Sequence, residues 1–246
     1  MDFLNLFLGA SLAFLATSLG AAGVFAFSTL SKRTIGLIFA FCAGVMAFSS
    51  FEMAAQAHTL GGNAVLFGGV ILGVLAFAIA ERLLPHLHLA LRKQTIADEK
   101  KKATMLAGTI TIHNIPEGFA IASAFAGSPA LGWLVASSIA LQDVPEGLLA
   151  SAPLACYGVK TKNSFFWGVF SGFVEAMAAV VGYLFLSIVV IATPLGLAFS
   201  AGAMAFVVVF ELLPDAFKVD DKHISALLFA LGIGVAAALG RVLLGV

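Results

Sequence analysis

Eight stretches of about 20 mostly apolar residues recur along this chain, at 3–27, 34–57, 64–84, 104–126, 130–152, 165–191, 194–213 and 224–246. Runs of that length cannot all be hidden in a water-soluble core of 246 residues, because too little polar sequence remains to cover them. Hydrocarbon is the solvent that fits. In hydrocarbon every backbone N–H and C=O must be paired within the chain, so the stretches are expected to be helices and the fold class an all-α membrane protein. Composition agrees, with 61% hydrophobic residues, 11% charged residues and a mean hydropathy of +1.07. The 25 glycines suit helices that approach one another closely in lipid. Residues 1–246 read as a single transmembrane domain with one larger polar connection at about 85–103.

The positions of the charges test the span count independently. Lys32 and Arg33 follow the first stretch, Arg82 stands at the end of the third, Arg92, Lys93, Lys100, Lys101 and Lys102 lie between the third and fourth, Lys160 and Lys162 follow the fifth, and Lys218 and Lys222 follow the seventh. The alternate connections, at 57–63, 127–129 and 192–194, carry no basic residue. Of the 13 Lys and Arg only Arg241 falls outside this pattern, so the basic side is assigned to the cytoplasm and both termini to the outside. The first stretch is counted as a span and not as a signal peptide, since only Met1 and Asp2 precede it and neither is basic. Zero formal net charge offers nothing to a nucleic acid, and Cys42 and Cys156 lie in apolar sequence that suits neither a disulfide framework nor a thiolate metal cluster.

Two pairs of segments repeat. Ala43-Gly44-Val45-Met46-Ala47-Phe48 in the second stretch returns as Ala201-Gly202-Ala203-Met204-Ala205-Phe206 in the seventh, and Phe51-Glu52 and Phe210-Glu211 follow them. His113-Asn114-Ile115-Pro116-Glu117-Gly118 in the fourth stretch is matched by Gln142-Asp143-Val144-Pro145-Glu146-Gly147 in the fifth. Each pair crosses the membrane in opposite directions. Inverted repeats of this kind place transport sites at the repeat interface near the bilayer midplane, and the eight helices are expected in a 3+2+3 arrangement that contains the repeat.

Ionisable groups at membrane depth cost about 2.5–3.5 kcal/mol each on insertion scales, so they are functional candidates by default. Glu117, Asp143, Glu146 and Glu175 lie well inside predicted spans, and Glu52 and Glu211 lie nearer span ends. No Lys or Arg occupies the central part of any span, so bound divalent cations are the most direct compensation for four carboxylates. With a helix advancing about 100° per residue, Glu117 lies about 40° from His113 and between it and Asn114, and Glu146 lies likewise between Gln142 and Asp143. Pro116 and Pro145 should kink their helices and free the carbonyls of Ile112 and Leu141. One imidazole, two amides and several carboxylates suit zinc and other first-row divalent ions better than the all-oxygen shells of magnesium or calcium.

At these residues the chain resembles the ZIP (Zrt/Irt-like protein) family of divalent metal transporters, marked by an HNxPEG-type motif in the fourth span and a related PEG motif in the fifth. The resemblance covers essentially the whole chain. Gln142 stands where many members have His, and Gln142-Asp143 looks like the GufA-like branch, which includes prokaryotic members. The resemblance implies that His113, Asn114, Glu117, Gln142, Asp143 and Glu146 hold two metals. Glu175 is then a further carboxylate ligand and Met46 a thioether ligand. It also implies that Glu211 lines a cytoplasmic exit route, with Glu52 as its repeat partner, and that His86 and His88 belong to a His-bearing cytoplasmic loop. The expected substrate is zinc first, with iron, manganese and cadmium as further candidates, taken up across a plasma membrane, such as a prokaryotic inner membrane. No organic cofactor is expected, and the lipid bilayer and a second copy in a homodimer are the expected partners.

Other classes fit less well. His-Glu-x-x-His is absent, as is Gly-x-x-x-x-Gly-Lys-[Ser/Thr], which argues against an intramembrane metalloprotease and a nucleotide-driven pump. An enzyme is not expected. The alternative left open is a secondary transporter of another substrate, using the buried carboxylates as a proton relay.

Overall fold

The computed structural model describes residues 3–27, 30–83, 96–188, 192–218 and 222–244. Among them every regular element is helical. In chain order these are α1 (Phe3–Ala22), a 3₁₀ turn (Gly23–Phe25), α2 (Lys32–Leu83), α3 (Ile96–Gly127), α4 (Pro129–Cys156), α5 (Thr161–Ile188), α6 (Thr193–Val207), a π-helical turn (Val208–Leu212), α7 (Leu213–Ala216) and α8 (Lys222–Leu244). His86 and His88 lie outside the described residues.

Five helical stretches among the described residues are long and apolar enough to cross a membrane: Phe3–Phe25, Arg33–Ala80, Thr161–Leu186, Thr193–Ala216 and Lys222–Val242. The second and third predicted spans appear as one run. Sequence reading placed a connection at 57–63, but helix continues through it and is interrupted at Gly62 alone, whose φ of 72° and ψ of −174° join two helices into α2. That positive φ suits glycine, which carries no Cβ to clash there. Helix also precedes the fourth predicted span, since α3 starts at Ile96 and the apolar run at Thr104.

Outward faces carry Leu4, Leu15, Leu19, Phe67, Ile71, Phe170, Phe173 and Val181, all exposed, whereas Thr17, His113, Asn114, Glu117, Gln142, Asp143, Glu146 and Glu175 are buried. This inside-out distribution is what lipid as solvent requires. Helices α1, α3, α4 and α5 pack chiefly on one another, and α2 packs on α6 and α8. Glycines set these approaches. A Cβ at Gly44 would overlap the Phe229 carbonyl and one at Gly232 the Phe41 carbonyl, fixing the first half of α2 against α8. Gly73 against Phe199 and Gly202 against Val70 do the same for the second half of α2 and α6.

The α3–α4 hairpin carries both repeated motifs. Its connection is the single residue Ser128, extended at φ −163° and ψ 154°, whose side chain accepts a hydrogen bond from Leu131 N at 3.1 Å while Pro129 opens α4. Proline at the first helical position gives up no helical hydrogen bond, and the capping oxygen satisfies one of the orphaned N–H groups, so the chain reverses in one residue. His113 stands fifteen residues before Ser128 and Gln142 fourteen after it, which brings the two motif starts level. Both helices run through their prolines, Pro116 and Pro145, without interruption.

Candidate metal centre

The two motifs meet directly. Gln142 Nε2 on α4 donates to Glu117 Oε1 on α3. One ligand atom from each of Glu117, Asp143 and Glu146 lies within 4.8 Å of the other two, close enough for carboxylates to share ions. Glu175 of α5 is fully buried beside them, its charge facing Glu117, Asp143 and Glu146. Asn114 is also buried, and its Oδ1 has no hydrogen-bond partner among the described residues.

These side chains are held by backbone contact rather than by long flexible reach. A Cβ at Gly118 would overlap the Glu175 carbonyl, and a Cβ at Gly147 would overlap the Thr17 carbonyl, so the glycine ending each motif lets α5 and α1 lie flush against it. The Glu one residue earlier is thereby set at the centre of the four-helix group.

The four acids are short of compensating partners among the described residues. Glu117 Oε2, both Oδ atoms of Asp143, Glu146 Oε2 and both Oε atoms of Glu175 are buried without a well-aligned hydrogen bond, and no Lys or Arg pairs with any of the four acids among the described residues. Buried oxygens left this way carry a desolvation cost of about 1–3 kcal/mol each, and more if charged. Metal coordination removes that cost for several oxygens at once. The arrangement can therefore hold divalent ions on carboxylate and amide oxygens, with an imidazole at its edge.

The remaining sequence candidates divide. His113 is buried and its Nε2 lies 2.8 Å from Glu211 Oε2, so Glu211 stands against the imidazole. Met46 is buried on α2, one turn after Cys42, whose Sγ is 3.8 Å from Gln142 O; the face of α2 that carries both sulfurs is thus turned toward α4. Glu52 is half-buried further along α2 and is not part of the carboxylate group.

Two buried residues beside the acids escaped sequence reading. Thr17 of α1 faces Asp143 and Glu175, and Cys42 faces Glu117, Asp143 and Glu146. In an apolar helix, Thr and Cys read as packing residues. The available signal was faint: Thr17 and Ala21 in the first span correspond in spacing to Glu175 and Ala179 in the sixth.

Residues 90–240, which contain both motifs and Glu175, match the ZIP Zinc transporter family profile. The chain belongs to the ZIP family. It is 34% identical over 216 residues to the zinc transporter GufA of Myxococcus xanthus, a match covering 82% of this chain and 85% of that protein. With the zinc transporter ZIPB of Bordetella bronchiseptica it shares 34% identity over 229 residues, covering 86% of this chain and 72% of the other. A putative zinc transporter of Arabidopsis thaliana is 30% identical over 205 residues, and this chain spans about a third of that longer protein, 33% of its length. The resemblance drawn from HNIPEG and QDVPEG, and from the chain around them, thus holds at family level, and GufA is among the relatives. Within this ZIP chain, the buried carboxylate group falls entirely inside the matched region.

Proposed function

We propose that this chain carries zinc and related divalent transition-metal ions into the cytoplasm through a two-metal site at the membrane midplane. The observation that carries this reading is the group of Glu117, Asp143 and Glu146, whose ligand atoms lie within 4.8 Å of one another with no basic partner among the described residues. Membership of the ZIP family and zinc transporters as relatives support zinc as the substrate. In this reading Glu117 and Glu146 bridge the metals. His113 and Gln142, with Met46, serve one metal, and Asn114, Asp143 and Glu175 serve the other. Glu211 stands on the way out.

Eight crossings in a 3+2+3 order fit the fold: α2 is divided at Gly62, and α3 and α4 are long enough to cross although their polar residues lower their hydropathy. With the basic connections in the cytoplasm, both termini lie outside, and a plasma membrane supplies the driving force. An inside-negative potential is worth about 2.3 kcal/mol per charge per 100 mV, hence about 4.6 kcal/mol for a divalent ion, so entry needs no coupled ion. A homodimer is compatible with this arrangement. The chain is read as a transporter and not as an enzyme.

Zinc uptake by purified protein in liposomes, with and without an inside-negative potential, tests the reading. Saturable uptake that rises with the potential is expected. A proton relay for another substrate would instead give no zinc flux and no thermal stabilisation by zinc.

A further inference from the structure

Thr17 occupies in α1 the place that Glu175 occupies in α5. A Cβ at Gly118 would overlap Glu175 O and crowd Ala179 N, and a Cβ at Gly147 would overlap Thr17 O and crowd Ala21 N. In each case the crowded nitrogen is four residues beyond the crowded oxygen. Because the α3 and α4 motifs are copies running in opposite directions, the operation that carries Gly118 to Gly147 also carries Glu175 to Thr17. The cluster therefore has a carboxylate on one side of its internal two-fold and a hydroxyl on the other.

That hydroxyl is placed to act on the acids. Thr17 is fully buried and its side chain faces both Asp143 and Glu175. Its Oγ1 lies 3.0 Å from Ala13 O, the usual resting partner of a helical threonine. Neither Oδ of Asp143 and neither Oε of Glu175 has a well-aligned donor among the described residues. Donation to either carboxylate takes a small shift of the side chains together with rotation about the C–O bond, while Ala13 O keeps its backbone partner in α1. Gly172 leaves the room: a Cβ there would press on Thr17 Cβ at 2.8 Å and Oγ1 at 3.2 Å. Charge favours a hydroxyl here as well. Glu117, Asp143, Glu146 and Glu175 carry four negative charges when ionised, enough to balance two divalent ions, and a fifth acid at position 17 would leave one buried charge uncompensated.

We propose that Thr17 is a positioning residue of the metal site, donating a hydrogen bond to Asp143 or Glu175 when their remaining oxygens bind metal and so fixing the carboxylates that serve one of the two ions. This rests on the two-metal reading above. Hydrogen bonds to ligating groups of this kind change metal affinity by about 10–100-fold when removed.

The test is zinc titration of the full-length purified protein by calorimetry, together with metal content and metal-free melting temperature, for the wild type, Thr17→Val and Thr17→Ser. Thr17→Val keeps the shape and removes the donor. It should weaken one of the two zinc ions by about tenfold or more while melting like the wild type, and Thr17→Ser should restore the affinity. Two zinc ions bound by Thr17→Val with wild-type affinity would overturn the proposal, as would equal losses in the Val and Ser variants, which mark a packing role. If Thr17→Val does not yield monodisperse protein, Thr17→Ala against Thr17→Ser decides by the same comparison, equal affinities overturning it. A wild-type protein that binds no zinc is a separate result that overturns the two-metal reading itself.

Discussion

His113 Nε2 lies 2.8 Å from Glu211 Oε2, so the imidazole that opens the α3 motif is tied to the π-helical turn Val208–Leu212 between α6 and α7. A π turn inserts an extra residue into a helix and often marks a functional position. Here it presents Glu211 to the imidazole of a motif that also supplies Glu117 to the carboxylate group.

Because Glu211 touches His113 and lies outside the carboxylate group, its removal should separate flux from binding. Glu211→Ala is expected to keep both metals and to lower zinc flux by about tenfold or more, compared by metal analysis and liposome uptake on the same preparation. Loss of bound metal with flux in proportion would place Glu211 in the cluster instead.

Packing gives a stability prediction. Gly118→Ala and Gly147→Ala force a methyl group onto the Glu175 and Thr17 carbonyls, neither of which can swing away as a side-chain end could. Each should destabilise the protein by about 1–3 kcal/mol, read as a lower midpoint in thermal unfolding in detergent. An unchanged midpoint would show that α5 and α1 do not lie flush on the motifs.

The helical class and the buried group of carboxylates were legible because lipid imposes few rules and imposes them strongly. An apolar run of about 20 residues has little choice but helix, and a Glu within it has little choice but a partner. What remained hidden depends on contacts between distant segments. Gly62 fell within an expected connection because it lies between two apolar stretches, whereas helix persists on both sides of it and packs against α6 and α8. The helical start of α3 at Ile96 lies in charged sequence where no apolar period announces it. Thr17 and Cys42 carry no cost in an apolar helix, so nothing local distinguishes them from filler until α4 and α5 bring acids to them.

Orientation can be read with single cysteine probes in a cysteine-free background. Replacements of Gly61 and Ser128 should react with an impermeant thiol reagent added to intact cells, and a replacement of exposed Lys160 should react only after permeabilisation. Labelling of the Lys160 replacement from outside would reverse the assigned topology.

Acid should inhibit. Carboxylates and imidazole bind metal in their deprotonated forms, so protons compete for the site, and affinity is present at higher pH and lost as pH falls. Zinc uptake is expected to decline as external pH drops from about 7 to about 5, the range that includes ordinary histidine titration. Uptake that accelerates in acid would point to proton coupling.

The sharing of metals between the two motifs is tested most directly by the zinc-to-protein ratio of folded, monodisperse variants. Glu117 accepts from Gln142, and one of its carboxylate oxygens lies within 4.8 Å of ligand atoms of both Asp143 and Glu146, so it reaches across from one motif to the other. Wild-type protein should bind two zinc ions. Glu117→Ala should lose both together with transport, whereas Asp143→Ala or Glu175→Ala should lose mainly one and keep measurable flux. Retention of both zinc ions by a folded Glu117→Ala variant would contradict the bridged two-metal site.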